Sequence, residues 1–166
     1  MAVSEQQRSL IGDVGYYGPL TLFLVVLGIL VKDKQYWLLP AVLLWQVVNY
    51  HFNIVLKNIF QQARPSGPLP TPAMGYFEKH KYYGFPSGHA QIVVSLGVFL
   101  LLFKAKQAYP GWYWVLAMLL VAQMLITGWQ RVAYSRHTVL QVMVGSAIGA
   151  VIGVGFFYML KYINAL

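Results

Sequence analysis

The chain contains no cysteine, and only four of its 166 residues are carboxylates. The first absence excludes disulfides, thiolate metal sites and a cysteine nucleophile. The second bears on one stretch in particular: Glu5, Asp13 and Asp33 all precede Lys34, and Glu78 is the single acidic side chain after it. One Glu cannot hold a two-metal hydrolytic site, so no metal is expected. A long cationic run is also missing. The 12 Lys and Arg residues stand singly between apolar stretches, which argues against a nucleic-acid partner despite a net charge of +8. The first thirteen residues lack the basic start and small-residue cleavage site of a secretory signal. The first apolar run is therefore expected to be retained as a membrane span.

What is present is hydrophobic. With 58% apolar residues and a mean hydropathy of +0.58, the composition predicts one polytopic membrane domain over 1–166. Five apolar stretches, roughly 14–31, 35–60, 87–103, 111–130 and 137–160, are long enough to cross about 30 Å of hydrocarbon. They run without the alternation that a closed barrel requires, so the fold class is all-α: a bundle of about five transmembrane helices behind an N-terminal polar or interfacial segment. Short links favour antiparallel neighbours. The exception is the connection 65–85, and a loop of that length in a small protein is usually functional. Five spans place this loop, the 131–137 link and the N-terminus on one face. Setting aside Lys57, Arg64 and Arg131, the positive-inside rule then places the long loop outside the cytoplasm.

Polar residues recur at helical spacing: Asn49, Asn53, Lys57, Gln61 and then Arg64 in the second span; Ser87, Gln91 and Ser95 in the third; Gln123, Thr127 and Arg131 in the fourth. The fifth begins with His137 and continues through Gln141, Gly145, Gly149 and Gly153, small residues that let membrane helices approach closely. Bundled on these stripes, the cations and histidines meet at one end. Unpaired charge at membrane depth costs roughly 2.5–3.5 kcal/mol per group at a helix centre, so the missing anion is expected to be a ligand, with phosphate as the candidate. The Phe85-Pro86-Ser87-Gly88-His89 start of the third span supplies free N–H groups suited to an anion.

Lys57 through Arg64-Pro65, then Pro86-Ser87-Gly88-His89, then Arg131 and His137 six residues apart resemble the three signatures of the type 2 phosphatidic acid phosphatase superfamily, in order and in spacing. The resemblance implies a membrane lipid phosphatase without cofactor, acting on a phosphate at the bilayer surface. By it, His137 is the nucleophile that forms a phosphohistidine and His89 is the general acid for the leaving oxygen. Lys57, Arg64, Arg131, Ser87 and the Gly88 N–H bind the phosphoryl oxygens. These roles suit the residue types, because imidazole can both attack and donate, and cations stabilise phosphoryl transfer. Two positions depart from the pattern: Gln130 stands where Ser is usual, and Gln141 where an Asp orients the nucleophile. The run His137-Thr138-Val139-Leu140-Gln141-Val142 looks similar to the dolichyl and polyprenyl diphosphate phosphatase branch. Gln141 is thus expected to accept a hydrogen bond from a functional but less basic His137, and Gln141→Asp to keep or raise turnover.

Lys79 and Lys81 are either a second-phosphate site or ordinary interfacial cations. Arg136 is expected to meet lipid phosphates, His51 and His80 to be packed or hydrogen-bonded, and Tyr76, Tyr82, Tyr83, Phe85 and Trp129 to form an aromatic belt. Polyprenyl diphosphate is the favoured substrate, with phosphatidate, phosphatidylglycerol phosphate and sphingoid phosphates open. A non-catalytic lipid-phosphate binder or transporter and a basic-mouthed channel are the rival classes.

Overall fold

The computed structural model describes residues 10–67, 74–106 and 111–163, with only the backbone of Phe77 and Lys106. The polar start through Ser9, residues 68–73 of the long connection and the 107–110 link lie outside the described residues. The helices are α1 (Leu10–Tyr16), α2 (Gly18–Lys32), α3 (Leu38–Phe60), α4 (Tyr76–Lys79), α5 (Gly88–Lys106), α6 (Trp112–Ala133) and α7 (Val139–Tyr162). Four of them, α3, α5, α6 and α7, are long and apolar enough to cross a membrane. A fifth candidate is the pair α1 and α2, which meet at an angle of 63° and so form a broken span or a re-entrant segment. The expected continuous helix over 14–31 is therefore corrected to an elbow at Tyr17. The cause lies in Gly18-Pro19: the proline sits in the first turn of α2, where its ring is tolerated, and removes an N–H that a continuous helix would have bonded. The other boundaries fall within about three residues of expectation, the usual uncertainty of helix ends.

Helix α5 is the central element and packs on α7, α6, α2 and α3. Its approach to α7 is close because Gly145, Gly149 and Gly153 face the backbone of Ser87, Gln91 and Ser95, one stripe of period four against another. A Cβ on Gly145 would stand 2.5 Å from the Ser87 carbonyl oxygen, and one on Gly153 2.6 Å from that of Ser95. Below this seam, away from the long connection, lies the apolar core: Leu30, Leu38, Trp45, Leu96, Phe99, Phe103, Phe156 and Leu160. Trp45 stacks on Phe156 with ring centroids 4.1 Å apart.

Above the core the same interface turns polar. Asn49 donates to the Ser95 hydroxyl at 2.9 Å, Asn53 donates to Gln91 Oε1 at 2.8 Å, and Gln91 Nε2 donates to Asn49 Oδ1 at 2.7 Å. These buried amides thereby bond to one another across the helix interface, which is what polar groups at membrane depth require. The remaining helix surfaces present Leu44, Trp114, Met118, Leu125 and Val151 outward, as an integral membrane protein does.

Candidate active site

Helix α3 carries Lys57 in its last turn and stops three residues later. Gln61 takes the left-handed conformation (φ 49°) and its N–H bonds to the Lys57 carbonyl, so the chain turns away and the period-four stripe ends with Lys57. Gln61 itself is exposed, contrary to its place in the expected stripe. The buried Lys57 ammonium donates to the Tyr83 carbonyl at 2.8 Å. The strand-like segment after α3 pairs with the end of the long connection through an antiparallel bridge between Ala63 and Tyr83, and the Gly84 N–H donates to Gln62 O at 2.7 Å. Tyr83 is therefore buried rather than part of the aromatic belt, because its backbone is one side of that bridge.

Helix α6 ends in a tight reversal. Ser135 adopts φ 52°, and the N–H groups of both Arg136 and His137 donate to the Arg131 carbonyl at 3.0 Å. This is how a helix C-terminus satisfies a last carbonyl, and here it brings His137 back beside Arg131. Thr138 then caps α7 in a capping box with Gln141. The His137 Nδ1 lies 2.8 Å from the Gly84 carbonyl and 3.2 Å from Gln141 Oε1. A carbonyl can only accept, so Nδ1 carries the proton and Nε2 keeps its lone pair.

His137 precedes α7, outside the spans, and its pKa is lowered to about 3, first by burial and then by Arg131, Lys57 and Arg64, against the raising effect of the Gly84 carbonyl. Arg64, in the segment after α3, is likewise lowered from its ordinary value by burial and then by Arg136. The local field is one of uncompensated positive charge.

One cavity of about 520 Å³ receives these groups. Lys57, Arg64, Gly88, His89, Arg131 and His137 all line it, so six of the expected site residues meet. Ser87 and Gln141 do not reach its wall. The Ser87 hydroxyl is buried without a hydrogen-bond partner among the described residues, and its N–H is taken by the Gln141 carbonyl at 2.9 Å. Gln141 is fully buried behind His137, where its Nε2 donates to Gln62 Oε1 and Ala63 O, each at 3.0 Å. It holds the Arg64 segment and the nucleophile candidate together and is absent from the lining of this cavity. Its Oε1 stands at the expected acceptor position for His137, and the backbone carbonyl of Gly84 is a second, shorter acceptor that the sequence pattern did not show. Lys79 and Lys81 do not line the cavity either, although His80 between them does.

Residues 35–165 match the PAP2 superfamily. The chain belongs to that superfamily. Over 119 residues, 66% of this chain and 48% of the relative, it is 29% identical to dolichyldiphosphatase 1 of Homo sapiens. Over 120 residues, 69% and 50% of the two chains, it is 26% identical to lipid phosphate phosphatase gamma of Arabidopsis thaliana. The chain thus spans about half the length of the curated relatives it matches. The crystal structure of a transmembrane PAP2 type phosphatidylglycerolphosphate phosphatase from Bacillus subtilis superposes with a TM-score of 0.67 at 19% identity, covering 95% of this chain and 79% of that one. The two share a fold.

The PAP2 cavity also holds residues that sequence reasoning assigned elsewhere. Arg136, expected to meet lipid phosphates, and His80, expected to be packed, both line it. His51 keeps its bland role, donating to the Val47 carbonyl at 2.8 Å. Arg136 had a readable signal, since it adjoins His137 in a six-residue link. Tyr16, Tyr17, Pro19 and Leu20 from the elbow and Tyr50 from α3 had none.

Proposed function

We propose that the protein is a metal-independent phosphatase of lipid phosphates or diphosphates, acting through a phosphohistidine, with polyprenyl diphosphate as the favoured substrate and the non-cytoplasmic membrane face as its site of action. The observation that carries this reading is the single cavity lined by His89 and His137 together with Lys57, Arg64, Arg131 and Arg136, and by no carboxylate among the described residues. Such a chamber favours a multiply charged anion and little else.

In the proposed reaction the lone pair on Nε2 of His137 attacks phosphorus, the bond from phosphorus to the bridging oxygen breaks, and His89 gives that oxygen a proton. Water then attacks the phosphohistidine while His89 takes its proton, and inorganic phosphate leaves Nε2. The guanidinium and ammonium groups hold the non-bridging oxygens and offset the charge spread over them in transfer. The Gly84 carbonyl stands in for the carboxylate usual in the pattern, fixing the tautomer without adding charge. Support for a diphosphate comes from Arg136, a fourth cation in the cavity where Lys79 and Lys81 were expected, from Gln141, and from the dolichyldiphosphatase relatives.

The test is phosphate release by the purified protein in EDTA from polyprenyl diphosphate, phosphatidate, phosphatidylglycerol phosphate and a sphingoid phosphate. Turnover highest on the diphosphate, lost in His137→Ala and accompanied by acid-labile label on His137, is the expected result. Binding without release from any substrate would make the protein a lipid-phosphate binder, and a strict magnesium requirement would overturn the mechanism.

A further inference from the structure

The elbow at Tyr17 lies outside residues 35–165, the part that matches the superfamily, yet four of its side chains line the cavity. Its placement is built into the packing. Gly12, Gly15 and Gly18 turn their bare Cα atoms to α6 and the turn after it, against Tyr134, Gln130 and Thr127 in that order. A Cβ on Gly15 would stand 2.9 Å from the Ile126 carbonyl oxygen, so larger residues would lift the elbow off. Gln123 Nε2 adds a bond to the Val14 carbonyl at 3.0 Å. The elbow is thereby fastened to the helix that carries Arg131.

From that mount the Tyr16 ring reaches the ring of His89, with centroids 5.8 Å apart at a tilt of 41°, and Tyr17 packs edge-on against Tyr16 at 4.9 Å. The cavity lining divides by chemistry. Cations and His137 come from 57–64 and 131–137; aromatic and apolar side chains come from the elbow, Tyr50 and Ile92. Leu20 and Tyr50 are also about half exposed, so this second wall is open rather than enclosed. Phosphoryl oxygens belong with the first set and hydrocarbon with the second. His89 is the group of the proposed reaction in ring contact with the second set.

We propose that the α1–α2 elbow is the leaving-group wall of the active site and that Tyr16 is a positioning residue, aiming His89 at the bridging oxygen of a lipid phosphate. The inference rests on the phosphatase reading above. In the transfer to His137, a side chain acting through the acid matters only when the leaving oxygen needs a proton, and this separates it from a merely structural role.

The experiment compares dodecyl phosphate, whose alkoxide must be protonated, with 4-nitrophenyl phosphate, whose leaving group needs no acid, on the full chain in detergent. Tyr16→Ala and Tyr16→Leu should lose about tenfold to a hundredfold in kcat/KM, which reports the transfer to His137 and not the later hydrolysis, on dodecyl phosphate and stay within about twofold on 4-nitrophenyl phosphate. Tyr16→Phe, which keeps the ring, should restore both rates. His89→Ala should lower kcat/KM more on dodecyl phosphate than on 4-nitrophenyl phosphate, and adding Tyr16→Ala to it should cost nothing further. Equal losses on the two substrates in both Tyr16 variants, or no loss on either, would overturn the proposal and leave the phosphatase reading standing. Wild-type protein that releases phosphate from neither substrate nor any lipid phosphate would remove both.

Discussion

At the scale of single residues, the position of one proton governs the site. The Gly84 carbonyl holds it on Nδ1 of His137, and burial among cations keeps the ring from taking a second. With the folded pKa lowered to about 3 from 6.5, His137 remains neutral as pH falls through 6.5, whereas in the unfolded chain it becomes charged there. The folded state then binds fewer protons, so this residue makes stability decline as pH drops from about 6.5 toward 3. Nitrogen NMR of labelled imidazole should find the Nδ1–H tautomer at pH 6, and saturating phosphate should move the titration upward by compensating Arg131, Lys57 and Arg64. Gln141 is the second such residue. Asp at that position would set a carboxylate against the Ala63 carbonyl and Gln62 Oε1, which now accept from Nε2. Leaving such acceptors unpaired costs about 1–3 kcal/mol. Gln141→Asp should therefore lower both the melting temperature and turnover, reversing the expectation from the sequence pattern, and a thermal melt beside an activity assay checks it.

At the scale of helices, the α5–α7 seam sets where everything above it stands. A Cβ on Gly149 would run into the Gln91 carbonyl, in the rung that also satisfies Asn49 and Asn53. Gly149→Leu should destabilise by about 1–3 kcal/mol or more and depress activity, since forced separation moves the α5 start carrying His89 away from His137. Gly155 lies on the same helix with nothing within 4 Å. Gly155→Ala there should be neutral or stabilising by up to about 1 kcal/mol through helix propensity alone. Melting temperatures of the two variants in one detergent compare seam with surface directly.

At the scale of the whole molecule, the two ends carry opposite electrostatic solutions. The cavity lining gathers cations without a carboxylate among the described residues; the other end pairs Lys104 with Asp33, both largely buried, beside Trp112. Removing one partner of a buried pair costs about 3–5 kcal/mol. Asp33→Asn should lower the melting temperature while leaving KM for a lipid phosphate unchanged, because the pair sits at the far end of the bundle. The absence of cysteine makes sidedness directly measurable. In intact cells a membrane-impermeant maleimide should label Lys81→Cys and spare Lys34→Cys if the long connection faces outward, and the reverse pattern would place the cavity on the cytoplasmic side.

Hydrophobic run length and period-four polar stripes are local quantities, so the helical spans, the convergence of Lys57, Arg64, His89, Arg131 and His137 at one end, and the glycine seam could be read directly from the chain. The Gly18-Pro19 break was written there too but was masked by the apolar residues around it. Tertiary structure alone decided that the Gly84 carbonyl joins Gln141 in receiving the His137 proton, that Arg136 and His80 join the cavity while Lys79 and Lys81 do not, and that the N-terminal elbow forms one of its walls. Those outcomes depend on where backbone carbonyls and loop side chains fall once distant segments pair. Residues without a helical period carry no record of such positions in their spacing.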